Sequence, residues 1–519
     1  LLSQTKSTSL AAHQSQFTHF SISVMSSLKM YRNNKESNLV TLQPREIIVA
    51  KVSSQNRRNT ATSIRSHLEL NAPASQIAST AVLLSKGSSS EFIDDDDLGI
   101  GNYDPFKHRR LSNPTSDSET LIHLLKASLG TGILAMPMAF MNAGLMFGLL
   151  ATFFIGFVCT YCIHLWVKCA QILCIRRRLP SMGFSEIAEF AFLTGPMPLR
   201  KYSTLAGFLI NLAILIEMLG CCCAYVVFVA RSMKQIAEYY WETDWSLQIY
   251  MVMLIPPLIL LNLMRSLKYL TPFSMVSNFL FIVGVCISYY YIFDDLPPLT
   301  ERPMFSSWHQ LPIFFGTTIF ALEGVGVVMP LENNMKTPEH FIGCPGVLNI
   351  GMVLVVTLYA ITGFFGYLKY GDATEASVTL NLPVEHLLGQ VLKTMVALGI
   401  FLTYSLLFYA AMDILWPRLK TSFRQPLVAE YVFRVLLVLA TVGVAAIFPN
   451  LGPLLSLIGA LSLSVVGLIF PALVETLVYW EHPGLGYHRW RLWKNVAIGM
   501  FGLIGLFTGT MTSLREFGH

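Results

Sequence analysis

Charge is scarce in this sequence: Asp, Glu, Lys and Arg make up 13% of its 519 residues, against 53% apolar residues. A soluble chain of this length cannot cover its surface with so little charge. A basic excess is missing too, because 36 Lys and Arg face 31 Asp and Glu for a net +5. That balance excludes a nucleic-acid binder, which must neutralise many phosphates. Nine cysteines are too few for a disulfide scaffold, and they lie in or near apolar stretches that say little about redox compartment. The sequence also lacks a Gly-x-x-x-x-Gly-Lys-Ser/Thr loop, a His-Glu-x-x-His pair and a Gly-x-Ser-x-Gly elbow. Cys159 and Cys162 have redox spacing but sit inside an apolar run with no partner pair. No enzymatic activity, metal site or bound cofactor is therefore expected.

The chain divides near residue 113. Residues 1–113 hold 20 serines, scattered basic residues, the acidic run Asp94-Asp95-Asp96-Asp97 and no apolar stretch long enough to cross a bilayer. Such composition cannot offset chain entropy by burial, so the segment reads as a disordered cytoplasmic tail. Residues 114–519 read as the membrane domain. There the pattern changes to apolar runs of about 20 residues, the length a helix needs to cross a bilayer. Eleven are predicted, near 119–141, 145–171, 205–229, 248–264, 272–293, 311–331, 347–368, 390–413, 430–448, 454–477 and 494–514. With the N-terminus cytoplasmic, fourteen Lys and Arg fall in inside loops, and only Arg231, Lys234, Arg302 and Lys369 fall outside. This positive-inside bias places the C-terminus outside or in a lumen.

Two of the runs carry matched interruptions. The first reads His123 through Lys126 and Ser128 to Gly130-Thr131-Gly132, with Pro137 five residues on. The sixth reads Phe320-Ala-Leu-Glu323-Gly324-Val-Gly326, with Pro330 four residues on. One Gly-x-Gly serves helix packing as readily as a binding site. Two at corresponding positions point to a transporter site built from an inverted repeat. Where a membrane helix unwinds, its N–H and C=O groups need a cavity or ligand. The N-terminus of the second half-helix suits a carboxylate, as in an α-amino acid.

Buried ionisable residues add to this. Glu323 beside the sixth-run break, and Glu217 in the third run, must each pair, face water or take up a proton. His123 has the chemistry to couple transport to protons, although an interfacial histidine without that role is equally ordinary. Asp413 and Glu475, near cytoplasmic ends, read as solvated and structural. Phe320, Tyr404 and Phe408 are candidates to line or gate the pocket, or simply to fill helix interfaces.

The motifs Leu121-Ile-His-Leu-Leu-Lys126, Gly130 to Pro137, Phe314 to Lys336, Gly366-Tyr-Leu-Lys-Tyr-Gly-Asp372, Thr379-Leu-Asn-Leu-Pro383 and Thr403-Tyr404 to Pro417 occur in series. In this the chain resembles the proton-coupled amino acid transporter family (solute carrier family 36) of the amino acid/auxin permease superfamily, over roughly residues 114–515. The resemblance implies an all-α polytopic membrane protein of eleven transmembrane helices. Ten form a five-plus-five inverted repeat with helices 1 and 6 interrupted, and one is extra. It implies carriage of small neutral amino acids such as alanine, glycine or proline, with H⁺ as coupling ion, across a plasma or endolysosomal membrane. Substrate binding would fall to Ser128, Gly130, Thr131, Gly132, Phe320, Glu323, Gly324 and Tyr404, and proton coupling to His123, Glu323 and Glu217. Relatives often have Thr-Gln where this chain has Glu217-Met218. An alternative is an amino-acid sensor that engages growth-signalling partners through the tail.

Overall fold

Ser116 and Glu119 start the first helix with a reciprocal cap. The Ser116 N–H donates to Glu119 Oε2 at 2.8 Å, and the Glu119 N–H donates to Ser116 Oγ at 3.4 Å, which satisfies donors that a helix start leaves open. The computed structural model describes residues 104–517 except 110, 112, 113, 129, 243, 266, 323, 324, 482 and 483. The expected tail before residue 104 lies outside the described residues.

From that cap the chain runs as helices. They are α1 (Asp117–Ser128), α2 (Gly132–Ala143), α3 (Leu145–Arg177), α4 (Phe184–Thr194), α5 (Met197–Arg200), α6 (Ser203–Trp241), α7 (Leu247–Met253), α8 (Ile255–Asn262) and α9 (Leu267–Phe293). After a long connection come α10 (Leu311–Ala321), α11 (Val325–Asn334), α12 (Val347–Tyr370), α13 (Leu387–Leu419) and α14 (Pro426–Ile447). A last group comprises α15 (Leu451–Ile458), a π-helical stretch (Gly459–Ile469), α16 (Phe470–Val478) and α17 (Trp490–Phe517). Among the described residues, nine spans are long and apolar enough to cross a membrane, and the α1–α2 pair, bent by 54°, makes a tenth.

Of the eleven expected spans the fourth, 248–264, is where length falls short. It forms as α7 and α8, interrupted at Leu254 just ahead of Pro256 and Pro257. Proline supplies no backbone donor, and a run from Leu247 to Asn262 reaches only about 24 Å. Elsewhere the described helices overlap the predicted runs.

The outward faces carry large exposed apolar side chains, among them Phe157 on α3, Leu436 on α14 and Phe507 on α17. Such a surface is stable only in hydrocarbon, so the chain is an integral, multi-pass membrane protein. Inside, close approach between helices is made by glycine. A Cβ on Gly366 of α12 would lie 2.4 Å from Pro137 Cγ of α2, and one on Gly316 of α10 would lie 2.6 Å from the Ser456 carbonyl of α15. The helix-breaking Pro137 is thus seated against a neighbour that has no side chain.

Arg109, in the segment read as tail, has its side chain packed against the helical body and held there by Glu332. One expectation needs correction. Glu475 is not a solvated helix end. It is 6% exposed and accepts from Lys494 Nζ of α17 at 2.6 Å, while the same ammonium donates to the Tyr161 hydroxyl of α3. Lys494, counted as a loop cation, is therefore part of a three-helix polar tie. Asp413 is half-buried on α13.

Candidate functional site

Helix 1 of the predicted scheme breaks, and its second half starts against the end of α10. α1 ends at Ser128 and α2 begins at Gly132; α10 ends at Ala321 and α11 begins at Val325. A Cβ on Gly132 would lie 2.5 Å from Ala321 Cα and 3.0 Å from Ala321 O. The two backbones therefore meet at the ends of their half-helices, and only glycine permits it at residue 132. Two residues away the situation reverses. A Cβ on Gly130 would meet nothing within 4 Å, so this backbone borders open space.

The unwound stretch of the first helix is partly satisfied. The Ser128 carbonyl accepts from the Gly130 N–H at 2.9 Å and from the Tyr359 hydroxyl of α12. Thr131 lies beside the Tyr225 hydroxyl of α6. The Ser128 hydroxyl is buried and has no hydrogen-bond partner among the described residues, and the same holds for Thr317 and Thr318 on α10. Buried hydroxyls without partners cost free energy unless water or ligand takes them. The break thus presents an open backbone face and unused polar capacity.

Glu217 of α6 reaches this centre. Its Oε1 lies 3.9 Å from where a Cβ on Gly326 would sit. Gly326 is exposed at the start of α11, whereas Glu217 is 6% exposed. Glu323 and Gly324, between α10 and α11, lie outside the described residues.

The other candidates are more dispersed. Phe320 is buried at the end of α10 and packs on Gly459 of the π-helical stretch. Such stretches recur at functional sites. Tyr404 of α13 stacks on Phe408 at 5.9 Å. Its hydroxyl pairs with Thr441 of α14 at 2.7 Å, so that hydroxyl is committed away from the breaks. His123 sits half-buried one turn into α1, with Lys126 one turn further on.

Tyr359 and Tyr225 are absent from the sequence-based site. Each is a lone phenol inside an apolar run, and a buried phenol needs a polar partner. That is the signal that could have found them. Among the described residues no group of three or more His, Cys, Asp or Glu is placed to hold a metal ion.

Comparison with known proteins gives consistent matches. Residues 113–515 match the family model for transmembrane amino acid transporter protein. The "Proton-coupled amino acid transporter-like protein pathetic" of Drosophila melanogaster is 44% identical over 81% of this chain and 89% of its own length. "Amino acid transporter AVT3C" of Arabidopsis thaliana is 26% identical over 78% of this chain and 91% of its own. Among solved structures, the inward-facing conformation of Mhp1 aligns with a TM-score of 0.40 and 13% identity, covering 83% of this chain and 94% of that one. A manganese transporter of Eremococcus coleocola aligns with 0.39 and 12%, covering 83% and 98%.

Proposed function

The chain belongs to the transmembrane amino acid transporter protein family, and from that premise we propose that it is a secondary carrier of small neutral amino acids of the alanine, glycine and proline class, moved with H⁺. It is a transport protein rather than an enzyme. The observation that carries the proposal is the broken first helix lying against the end of α10, with Gly132 against Ala321 and Gly130 on open space. In this reading the substrate carboxylate lies on the backbone of Gly130, Thr131 and Gly132, flanked by Ser128. The substrate ammonium faces Glu323 and Gly324, and Phe320 and Tyr404 bound the pocket from behind. Glu217, beside the start of α11, and His123, in α1, are the further groups through which a proton is exchanged.

Transport then follows from geometry. Five helices and their inverted counterparts form two bundles, and one rocks against the other about the broken pair, exposing the site alternately. The N-terminus is cytoplasmic and the C-terminus is outside or lumenal, at the plasma or an endolysosomal membrane. One pH unit supplies about 1.4 kcal/mol per proton and 100 mV about 2.3 kcal/mol per charge. Together, about 3.7 kcal/mol supports a several-hundred-fold amino-acid gradient.

The test is uptake of alanine, glycine and proline in sodium-free buffer, with membrane current recorded at acidic and neutral outside pH. Saturable uptake with an inward current that grows at acid pH is expected, and Glu323→Gln should abolish it at unchanged surface abundance. Sodium dependence would refute proton coupling, and binding without flux would refute the carrier reading in favour of a sensor. Full transport by Glu323→Gln would remove that residue from the site.

A further inference from the structure

Arg109 precedes the first helix by eight residues, yet its side chain is only 4% exposed. Its guanidinium makes four hydrogen bonds. Nη2 donates to Glu332 Oε2 at 3.0 Å and Oε1 at 3.2 Å, Nη1 donates to the Glu332 carbonyl at 2.9 Å, and Nε donates to the Pro180 carbonyl at 2.8 Å. Glu332, 1% exposed, lies in the last turn of α11, and its Oε1 also accepts from Gln171 Nε2 of α3 at 3.1 Å. Arg109 and Glu332 together therefore join the segment before α1, α11, α3 and the connection after α3.

A short strap completes the join. The Thr115 N–H donates to the Asn334 carbonyl and the Lys336 N–H donates to the Thr115 carbonyl, both at 2.9 Å, making a bridge between Thr115 and Met335. Asp117 accepts from Thr337 Oγ1 at 2.8 Å and pairs with His340 at 2.7 Å. Every one of these bonds ties the start of α1 to the end of α11 or the segment just after it, so α1 and α11 meet at one face of the bundle.

We propose that Arg109 is the bolt of a gate on that face: seated on Glu332 it holds α1 and α11 together and shuts the path from the breaks, and it must leave for substrate to pass. The inference rests on the carrier reading. A buried, bidentate pair suits a two-state element, because breaking it leaves a charge uncompensated while reseating it restores several directional bonds at once. It also gives a role to Glu332 within the Phe314 to Lys336 motif, a role that binding at the breaks leaves unused.

Cys174 of α3 reports on the bolt. The thiol is 2% exposed and lies within electrostatic reach of both Arg109 and Glu332. The experiment uses the full chain with the exposed Cys286 and Cys344 changed to Ser, in permeabilised membranes treated with a charged maleimide, with Cys174 modification read by mass spectrometry. Arg109→Gln and Glu332→Gln should each raise its rate at least about tenfold, and the exchange Arg109→Glu with Glu332→Arg should restore protection. Alanine should raise the rate in the unsubstituted bolt, because turnover opens the gate; a purely structural pair would not respond to substrate.

Equal rates across all variants would overturn the bolt while leaving the carrier reading intact. A response to the substitutions but none to alanine would reduce Arg109 to a structural residue. Labelling as predicted in a protein that moves no amino acid would refute the carrier reading, and with it the gate.

Discussion

The centre of the bundle and the face that carries Arg109 treat polar groups in opposite ways. At the centre, Ser128, Thr317 and Thr318 keep buried hydroxyls without partners among the described residues, and Gly130 borders open space. At the rim, Arg109 and Glu332 use nearly every donor and acceptor they have. A folded protein tolerates unused polar capacity where something else fills it, and it saturates hydrogen bonds where it must hold a position. The contrast matches the proposed roles, ligand at the centre and closure at the rim.

The sharpest way to break this contrast is Gly132→Val. The added side chain meets the Ala321 backbone at 2.5 Å, so uptake should fall at least about a hundredfold, with reduced abundance at the membrane. Gly130→Ala, two residues away, has room. It should reach the membrane normally and change apparent affinity more than abundance, as radiolabelled uptake and surface biotinylation would show. Near-equal abundance defects in the two variants would erase the distinction between a packed and an open glycine.

Lys494→Met tests a polar tie away from the site. It strips the buried Glu475 of its cation, and a cost of about 3 kcal/mol should appear as a lower Tm in detergent, with KM for uptake unchanged. Tyr359→Phe removes one donor to the Ser128 carbonyl while the Gly130 N–H remains. The loss of about 1 kcal/mol should appear as an apparent affinity change of no more than about tenfold. Tyr404→Phe is the smallest. It loses the bond to Thr441, and thermal melting should shift by the equivalent of about 1 kcal/mol or less.

Much of the fold was legible because a bilayer imposes one rule on every span, a long apolar run. The break in the first helix was legible because Gly and Pro mark unwinding before any packing is known. What stayed hidden depends on contacts distant in sequence. Arg109 and Glu332 are 223 residues apart, and nothing local separates Arg109 from Arg110 beside it. Glu475 looked like a solvated helix end because Lys494, which buries it, belongs to a later helix. Tyr225 and Tyr359 carry no motif, and they matter because α6 and α12 pack beside the first break. The short pair α7–α8 marks the limit of counting spans, since its apolar run is clear but its prolines divide it.

The most direct test of the two-break site is protection of Gly130→Cys by substrate, measured in the full chain with Cys286 and Cys344 changed to Ser. The new thiol should react with a small maleimide, because its position borders open space, and saturating alanine should slow that reaction at least about tenfold. A thiol that reacts at the same rate with and without alanine, glycine or proline would contradict the claim that these amino acids bind where the two helices break.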